Sequence, residues 1–500
     1  MQSKSLQKTI TLLLLAGMLL TPVLSSCAEK KDDASGGAAT TTSSDESLPE
    51  ETDRTHYRDN LPGDLNFDGA KFSILARSDQ QFLIEFYVEE EKAETVEDAI
   101  FKRNSKVSER LNISYDVVQG YPSNEYGEEL KRISSNIIAG DESYNAIAGY
   151  SVQIVRLMVD NIFVDLNTVN YLDFEMPWWP DSVVKEMNFN DKLYFCTGDI
   201  CYSTTSKAVC MYFNKKLQQD NNVEDIYDIV NSGAWTLEKL NEVCRGMYSD
   251  LDGNSKRGKE DQYGLTMTSY NSVDAFIPAF HQNVTQLDEE GYPELCMNNE
   301  RMVTIMEGIY DLMNDNDGVY VPKFRVDDAQ TMFEMFKADQ SLFMMWEFTG
   351  CDNLRDMESD FGVIPYPKLN DAQDGYGTYM QDGHSLVCIP ITTRDLDLTG
   401  AVLEALAAES YRSVTPAYFE IALQAKYSRD NESMQMMEVI RDSIKYNFGY
   451  VYLVDALYTG RNMMNTGSKG SRDFASYWAK NERPLQKTLQ KMIDKYQSNQ

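Results

Sequence analysis

Apolar residues along the chain follow two periods, and these predict alternating strands and helices in the first part of the folded body. Short apolar runs, typical of buried strands, occupy residues 71–76, 113–118 and 145–149. Between them apolar residues recur with helical spacing, which predicts helices over residues 95–111, 125–139 and 155–159. Consecutive strands separated by helices must be joined by crossovers, so the pattern predicts a mostly parallel sheet. Ligands of such sheets bind beyond the carboxyl ends of the strands.

The same two periods predict a second sheet with its own helices farther along the chain. Strand-like runs occupy residues 209–213, 341–346 and 361–364. A further apolar run at residues 385–389 falls where the chain is predicted to have returned to the first lobe. Helices are predicted to begin after the capping residues Thr236 and Asn299, to cover residues 328–337, and to open at Pro484 near the end of the chain. The predicted fold class is therefore α/β, with two lobes that each contain a mostly parallel sheet flanked by helices.

Residues 177–217 are predicted to make the first connection between the two lobes. Trp178 and Trp179 lie between two prolines, which exclude helix and stiffen a loop. The polar segment 197–207 then separates strand-like runs at 193–196 and 209–213, and a short connection of this kind can act as a hinge. A second crossover is predicted at the Gly-, Asp- and Tyr-rich segment 370–379. These positions assign residues 65–200 and 380–412 to lobe I, and residues 201–379 and 413–500 to lobe II.

The first residues show the pattern of a bacterial lipoprotein leader. Lys4 and Lys8 precede an apolar run over residues 10–24, and small residues lead into Cys27. The pattern predicts a signal peptide over residues 1–26, lipidation of Cys27, and a body held by lipid on the extracytoplasmic side of the cell membrane. A membrane-spanning anchor is the alternative, although the apolar run is short for a bilayer. Residues 27–64 carry almost no large apolar side chains, which predicts a disordered tether.

Charge and composition narrow the partners of this 500-residue chain. The formal net charge is −33 at pH 7, which argues against nucleic acid and against docking of the folded body on anionic lipid. Eight cysteines, one of them taken by lipid, show no spacing typical of a disulfide framework. Three histidines leave little from which to build a metal centre or a catalytic triad. We therefore predict no catalytic residues and no required cofactor.

Candidate ligand-binding residues fall into an aromatic group and a polar group. Trp178, Trp179 and Trp346 could pack against the C–H face of a sugar, and each is equally suited to a hydrophobic core. The polar candidates stand at strand ends and crossovers, where surface solvation is the alternative for each of them. They are Arg77, Asp79, Tyr150, Asp199, Asp382 and His384.

One acidic stretch has part of the pattern of a calcium-binding loop. Asp250, Asp252, Asn254 and Asp261 occupy the first, third, fifth and twelfth positions of such a loop. The usual glycine at the sixth position is replaced by Ser255, and nearby basic residues reduce the negative charge. A structural Ca²⁺ site is one interpretation, and an Asp/Asn-rich turn is the other.

A set of short motifs carries a family resemblance through its order along the chain. The motifs are FDGAKFSIL, PWW followed by NDKLYFCTGD, YFNKKL, WTLEKL, DQYGL, FKADQSLFMMW and FGVIPYPK. Together they resemble bacterial extracellular solute-binding proteins of the carbohydrate, maltose-binding-like class, the receptors of ABC importers. The resemblance implies a type II periplasmic-binding-protein-like fold, a sugar-sized cleft at the hinge, and no catalysis. The chain departs from it at Trp346 and Glu347, where many relatives have a glycine-containing turn.

The function that the resemblance implies is capture of a sugar or oligosaccharide for delivery to the permease subunits of an ABC importer. We expect a monomer with a carbohydrate ligand. Two alternatives stay open at this point. One is a surface-anchored glycan-active enzyme, which would need two carboxylates facing each other across the scissile bond. The other is a sensor or adaptor lipoprotein that binds a peptide.

Overall fold

The structure is a computed structural model that describes residues 54–322, 328–424, 431–467 and 469–499. The predicted leader, the lipidation site Cys27 and the predicted tether up to residue 53 lie outside the described residues. The strands are β1 (Ala70–Ala76), β2 (Ile113–Gln119), β3 (Ala146–Tyr150), β4 (Asn188–Phe189), β5 (Lys192–Leu193), β6 (Val209–Asn214), β7 (Tyr263–Thr266), β8 (Thr285–Leu287), β9 (Pro293–Leu295), β10 (Val319–Tyr320), β11 (Ser341–Glu347), β12 (Phe361–Ile364), β13 (Thr378–Tyr379), β14 (Ser385–Cys388) and β15 (Ile444–Lys445).

Helices surround these strands throughout the described chain. The α-helices are α1 (Gln80–Leu83), α2 (Thr95–Leu111), α3 (Tyr126–Ile138), α4 (Ser151–Ile154), α5 (Asp181–Glu186), α6 (Ser203–Ser206), α7 (Lys215–Asp220), α8 (Ile226–Asn231), α9 (Leu237–Cys244), α10 (Asn271–Asp274), α11 (Phe276–Ala279), α12 (Glu300–Tyr310), α13 (Asp328–Lys337), α14 (Gly350–Asn353), α15 (Leu396–Glu409), α16 (Thr415–Gln424), α17 (Asn431–Asp442), α18 (Phe448–Tyr452), α19 (Val454–Leu457), α20 (Thr459–Met464) and α21 (Phe474–Ser498). Shorter 3-10 helices occupy Arg54–His56, Ser123–Glu125, Val155–Asp160 and Leu166–Thr168, and π-helical turns occupy Asp311–Asp315 and Ser410–Val414.

The sheet of lobe I has the strand order β14-β3-β1-β2. β1 runs parallel to both β2 and β3, whereas β14 closes the edge in antiparallel orientation. Residues 72–76 of β1 are all buried, as expected for a parallel strand covered on both faces. The periodicity placed these strands and α2 within a residue of their observed ends. α2 stops where Asn112 takes a left-handed conformation at φ 48°.

The sheet of lobe II has the strand order β10-β7-β11-β6-β12. β7 pairs in parallel with β10 and β11, while β6 pairs antiparallel with β11 and β12. Predicted helix starts at Thr236 and Asn299 are confirmed, since each side chain accepts a hydrogen bond from the backbone N–H three residues on. Both lobes contain a mixed sheet flanked by helices, which confirms the predicted α/β class. The lobe II sheet is not mostly parallel as predicted, because two of its four strand pairs are antiparallel. The exact boundaries of the lobes stay a prediction.

Two neighbouring chain segments cross between the lobes. Isolated antiparallel bridges join Cys196 to Val387 and Ala208 to Met380, so the crossovers lie side by side. The first crossover contains the short helix α6, which the sequence did not predict. Cys196 and Cys201, at the first crossover, are buried and free.

Two predicted elements differ from the structure. The strand expected at residues 193–196 is only the hairpin β4–β5, whose turn residues Asn190 and Asp191 both have positive φ. The last helix begins at Phe474 rather than Pro484, because Asp473 caps it and the buried side chains of Phe474 and Trp478 fix its first turns. Pro484 therefore lies inside the helix, where packing outweighs the loss of one backbone hydrogen bond.

Residues 54–64 pack against the body, so the predicted disordered tether is wrong over this range; we call these residues the strap. Arg54 and Leu61 are buried. Asp59 accepts hydrogen bonds of 2.6 and 2.7 Å from Arg110 on α2, which fastens the strap to lobe I. Among the described residues no helix is both long enough and apolar enough to cross a membrane.

Candidate ligand-binding cleft

A cavity of about 660 Å³ lies between the lobes beside the first crossover, and we call it the front cleft. Lobe I contributes residues that follow the carboxyl end of β1, and lobe II contributes residues that follow the carboxyl end of β11. The crossover supplies the wall between them. The lining residues are Asp79, Gln80, Gln81, Phe82, Ile84, Tyr202, Ser206, Lys207, Thr349, Asp352, Asn353 and Tyr418. This position agrees with the rule that ligands bind beyond the carboxyl ends of the strands.

Arg77 and Asp79 hold the lobe I wall of the front cleft in place. Arg77 is buried and donates hydrogen bonds to the Gly383 carbonyl at 2.8 Å and to Ser385 Oγ at 3.0 Å, on the second crossover. Its guanidinium lies 3.5 Å from the ring centre of Phe82. Asp79 Oδ2 accepts from the N–H and Oγ of Ser123 at 2.7 and 2.8 Å. Asp79 therefore lines the cleft, while Arg77 positions the elements behind it.

Glu85, which the sequence did not single out, joins three elements behind the cleft. Its carboxylate accepts from the Ser203 N–H on α6 at 2.7 Å and from Ser385 Oγ on β14 at 2.7 Å. Burial raises the pKa of Glu85, and these hydrogen bonds together with the charge of Arg77 oppose the rise. The group ties the end of α1 to both crossovers.

A second polar cluster contains Asp382, Lys207 and Glu347, and it reaches from the crossovers into lobe II. Lys207 Nζ lies 2.9 Å from Glu347 Oε2. The hydroxyl of Tyr458 donates to Asp382 Oδ2. Burial raises the pKa of Asp382 to about 6, with a further rise from the charge of Glu347 and an opposing effect from Lys207. The Tyr150 ring centre lies 5.0 Å from the Arg77 guanidinium, and burial, followed by the charge of Asp382, raises the pKa of Tyr150.

His384 and Trp346 have structural surroundings. His384 hydrogen-bonds through its ring nitrogens to the Gln381 carbonyl at 2.9 Å and to the Tyr446 hydroxyl at 2.9 Å, and burial lowers its pKa to about 4. Trp346 is half-buried and packs edge-on against Phe333, at 5.5 Å between ring centres. Trp346 is not among the residues that line the front cleft.

Trp178 and Trp179 lie in the core of lobe I, which is one of the two interpretations that the sequence left open for them. Their side chains are 0% and 2% exposed. Both indole N–H groups donate to one carboxylate, that of Glu404 on α15, at 3.0 and 2.9 Å. Burial raises the pKa of Glu404 to about 7 against the effect of these hydrogen bonds. The predicted loop around Trp178 and Trp179 is present. Gly198 packs against this loop, and glycine is required there because an added Cβ would lie 2.1 Å from the Trp178 carbonyl oxygen.

Asp199 lies on the other side of the first crossover, where a separate cavity of about 430 Å³ opens; we call it the rear cavity. Asp199 Oδ2 accepts from Arg441 at 2.7 Å, and Oδ1 accepts from the Thr415 hydroxyl. Trp179 contributes to the wall of the same cavity. The candidates predicted from sequence are therefore divided. Asp79 lines the front cleft, and Trp179 and Asp199 line the rear cavity. Arg77, Tyr150 and Asp382 line neither cavity.

The front cleft also contains residues that the sequence did not single out. They are Lys207 on the crossover, Thr349, Asp352 and Asn353 beyond β11, and Tyr418 on α16. The rule that ligands bind beyond the carboxyl ends of strands also applies to β11, and it predicts Thr349, Asp352 and Asn353 as site residues. Tyr418 reaches the cleft from a distant helix, for which the local sequence gives no signal.

The acidic loop brings Asp250, Asp252 and Asp261 together. One carboxylate oxygen of each lies within 4.8 Å of the others. Oxygens that each bind one Ca²⁺ at about 2.4 Å can be no farther apart than this, so the donor set fits the ion. Asp250 also accepts from the N–H groups of Gly253 and Ser255 at 2.7 and 2.8 Å, as a plain turn would. Calcium at this loop stays a prediction.

We expect a chelator to lower the melting temperature in calcium-containing buffer, because a ligand of the native state stabilises it by RT ln(1 + [L]/Kd). Asp250→Ala should remove that sensitivity. Asp288→Ala is the matched control, since Asp288 also accepts backbone N–H groups in an exposed turn away from the loop. Melting that is unchanged by EDTA would show that the loop is a turn without an ion.

Two lobes, paired crossovers and a cavity at the strand ends make up the fold of this chain, and the comparisons with known proteins bear on that fold. No protein-family model and no curated protein sequence matches the chain. Solved structures of low sequence identity match it over most of its length. A cyclo/maltodextrin-binding protein complexed with maltotetraose is similar with a TM-score of 0.54 and 11% identity, over 86% of this chain and 97% of that one.

Two further structures share the fold. The GacH receptor of Streptomyces glaucescens, determined unliganded and with acarbose, has a TM-score of 0.50 and 14% identity over 84% of this chain and 99% of that one. The maltose/maltodextrin-binding domain MalE from Bdellovibrio bacteriovorus, bound to maltotriose, has a TM-score of 0.50 and 15% identity over 85% of this chain and 100% of that one. The predicted two-lobed fold is thereby confirmed.

Proposed function

We propose that the protein captures a sugar or oligosaccharide in the front cleft and releases it unchanged. The observation that carries this proposal is the cavity of about 660 Å³ enclosed by strand-end residues of both lobes. Its volume falls within the usual range for small-molecule sites, roughly 300–1,000 Å³. The similar proteins with bound maltotetraose, acarbose and maltotriose support the ligand class.

The chemistry of the lining suits a polyhydroxylated ligand. Carboxylate and amide groups of Asp79, Gln80, Gln81, Asp352 and Asn353 can accept from and donate to hydroxyl groups. The rings of Phe82, Tyr202 and Tyr418 provide apolar faces for the C–H side of a sugar. A ligand that contacts both walls favours the closed arrangement of the lobes, because it gains contacts there that the open arrangement lacks.

Delivery to the permease of an ABC importer follows from the same proposal. The predicted lipoprotein leader would place the body on the extracytoplasmic side of the membrane, and the similar maltodextrin-binding proteins support a sugar receptor rather than a sensor or adaptor. Lipidation at Cys27 would keep the receptor close to its permease, since lipid anchoring of this kind restricts the protein to the membrane surface. No catalytic step is proposed.

The enzyme alternative rests on one observation, that Asp79 of lobe I and Asp352 of lobe II line the same cavity. Two carboxylates on opposite sides of a glycosidic bond are what a glycoside hydrolase needs. The two functions differ in the fate of the ligand, since a binding protein returns it intact. This difference decides the experiment.

We expect calorimetric titration with neutral oligosaccharides, including maltotriose and maltotetraose, to find a ligand with a Kd near 1 μM, about −8 kcal/mol. Asp352→Ala should weaken binding about ten-fold or more, because it removes a charged hydrogen-bonding partner from the cleft. Asp371→Ala, an exposed residue outside the cleft, is the matched control. Chromatography after incubation should return the glycan intact. Released sugars would favour the enzyme, and equal affinities for both variants would move the site elsewhere.

A further inference from the structure

Four charged residues meet behind the first crossover, and we call them the rear clasp: Arg54, Asp199, Glu438 and Arg441. Arg54 belongs to the strap, Asp199 to the crossover, and Glu438 and Arg441 to α17. Arg54 donates to both carboxylate oxygens of Glu438, at 2.8 and 2.5 Å. Arg441 donates to Asp199 at 2.7 Å, and Arg54 Nη1 lies 4.0 Å from the same carboxylate. Two cations and two anions therefore neutralise one another in a largely buried place.

The aromatic ring of Tyr411 packs against both arginines of the rear clasp. The guanidinium of Arg54 lies 4.5 Å from its ring centre and that of Arg441 lies 5.3 Å from it. Arginine on an aromatic face in a desolvated place is an attractive and directional contact. The neighbouring residue Ser410 accepts a hydrogen bond of 3.0 Å from Arg103 on α2, so Tyr411 belongs to lobe I.

The other half of the rear clasp is attached to lobe II. Met437 and Ile440 of α17 share a buried cluster with Phe361 and Val363 of β12. Glu438 and Arg441 lie on this same helix. The strap is held at its far end by Asp59 and Arg110 of lobe I, so Arg54 reaches from lobe I to a helix seated on the lobe II sheet. The clasp thus connects the two lobes by a route separate from the crossovers.

The rear clasp and the front cleft lie on opposite sides of the first crossover. Tyr202, Ser206 and Lys207 line the front cleft, whereas Asp199, Thr204 and Thr205 line the rear cavity, and the two cavities share no lining residue. When two bodies rotate about a connection, approach on one side of it requires separation on the other. Closing the front cleft must therefore pull α17 away from Asp199 and Tyr411.

We propose that the rear clasp is a strap-operated latch, which holds the front cleft open until Arg54 leaves its place between Tyr411 and Glu438. The latch biases an equilibrium between two arrangements of the lobes, and a residue can do so only through contacts that differ between them. Arg54 follows residues 27–53 of the predicted tether, so the latch would join the end of the chain that is predicted to carry lipid to the state of the cleft. That closure accompanies capture of a sugar rests on the proposed function, but the latch itself does not.

The test is a distance measurement between the lobes, without any ligand. Spin labels at Ser135→Cys on α3 and Glu334→Cys on α13, both exposed, report lobe separation in a full chain that carries Cys27→Ser and Cys296→Ser. Arg54→Ala should increase the population with the shorter distance about five-fold or more, a typical size for coupling between distant sites. Arg54→Lys should give an intermediate result, because an ammonium keeps the charge but loses the planar fork.

Two further variants make the result specific. Glu438→Gln should shift the distances in the same direction as Arg54→Ala. If Arg54→Ala does not fold, Glu438→Gln is the variant that tests the latch. Arg394→Ala removes an exposed ion pair of lobe I with Glu142 and should leave the distances unchanged. Distances identical to those of the unmodified chain in Arg54→Ala and Glu438→Gln, or a shift toward longer ones, would overturn the latch. A lost affinity for sugars with a retained distance shift would count against the proposed function alone.

Discussion

Trp178→Ala is expected to lower the free energy of unfolding by about 3–5 kcal/mol, the usual cost of truncating a large aromatic side chain in a core. Trp178 is fully buried, and its indole N–H donates to Glu404 at 3.0 Å. The substitution therefore opens a cavity and removes one of the donors that satisfy a buried carboxylate. Ligand affinity of the remaining folded protein should not change, because Trp178 does not line the front cleft.

Urea unfolding followed by circular dichroism, beside calorimetric affinity, checks this prediction. Trp178→Phe fills most of the space but lacks the N–H, so its loss should be smaller. Since burial raises the pKa of Glu404 from 4.5 to about 7, the folded state holds a proton that the unfolded state releases, and stability falls as the pH rises through this interval. Trp178→Phe should extend that fall to higher pH, because it removes a hydrogen bond that favours the charged carboxylate. Lost affinity with unchanged stability would restore Trp178 as a ligand contact.

Arg461→Ala is expected to cost about 3–5 kcal/mol, because it leaves a buried carboxylate without its partner. Asp274 on α10 is 0% exposed, and both of its oxygens accept from Arg461, with Nε at 2.9 Å from Oδ1. Burial lowers the pKa of Arg461 to about 10, yet the group stays protonated near neutral pH. The guanidinium also lies 3.6 Å from the ring centre of Tyr458, whose hydroxyl donates to Asp382. Loss of Arg461 should therefore weaken ligand binding as well as folding.

A double-mutant cycle separates the ion pair from the rest of the effect. Replacing both Asp274 and Arg461 with Leu should cost much less than Arg461→Ala alone, since no buried charge is left uncompensated. Lys185→Ala is the surface comparison, because Lys185 pairs with Asp181 in solvent, and such pairs contribute about 0–1 kcal/mol. Additive costs for the two sites would show that the pair does not couple.

The hydrophobic period predicts the helices and strands whose structure is determined by their own residues. α2 was predicted over its full length because its buried residues recur with helical spacing and Asn112 ends it in a left-handed conformation. Pro484 was misread as a helix start, since only tertiary packing of Phe474 and Trp478 shows that the helix begins a full ten residues earlier. α6 is a single helical turn within the first crossover, and it is too short to show a hydrophobic period.

The sequence predicts the site residues whose position follows from the topology of the sheet. It does not predict those whose position depends on a partner far away along the chain. Asp79 lines the cleft because it follows the carboxyl end of β1, as the strand-end rule requires. The rule says nothing about burial, so the sequence could not show that Glu404, more than 200 residues away, takes both indole N–H groups. Asp199 likewise pairs with Arg441 and lies away from the front cleft, and no local sequence pattern connects these two residues.

The edge strand of the lobe I sheet sets an order of events during folding. β14 pairs with β3, yet residues 385–388 are made long after residues 146–150. β6, β7, β10, β11 and β12 all fall within residues 209–364, so the lobe II sheet can form before the lobe I sheet receives its last strand. Pairing between distant segments is slow, because the entropy of closing the intervening loop is lost before any contact is gained. Lobe I therefore stays incomplete through most of synthesis, which is compatible with passage of the chain through a membrane in an unfolded form.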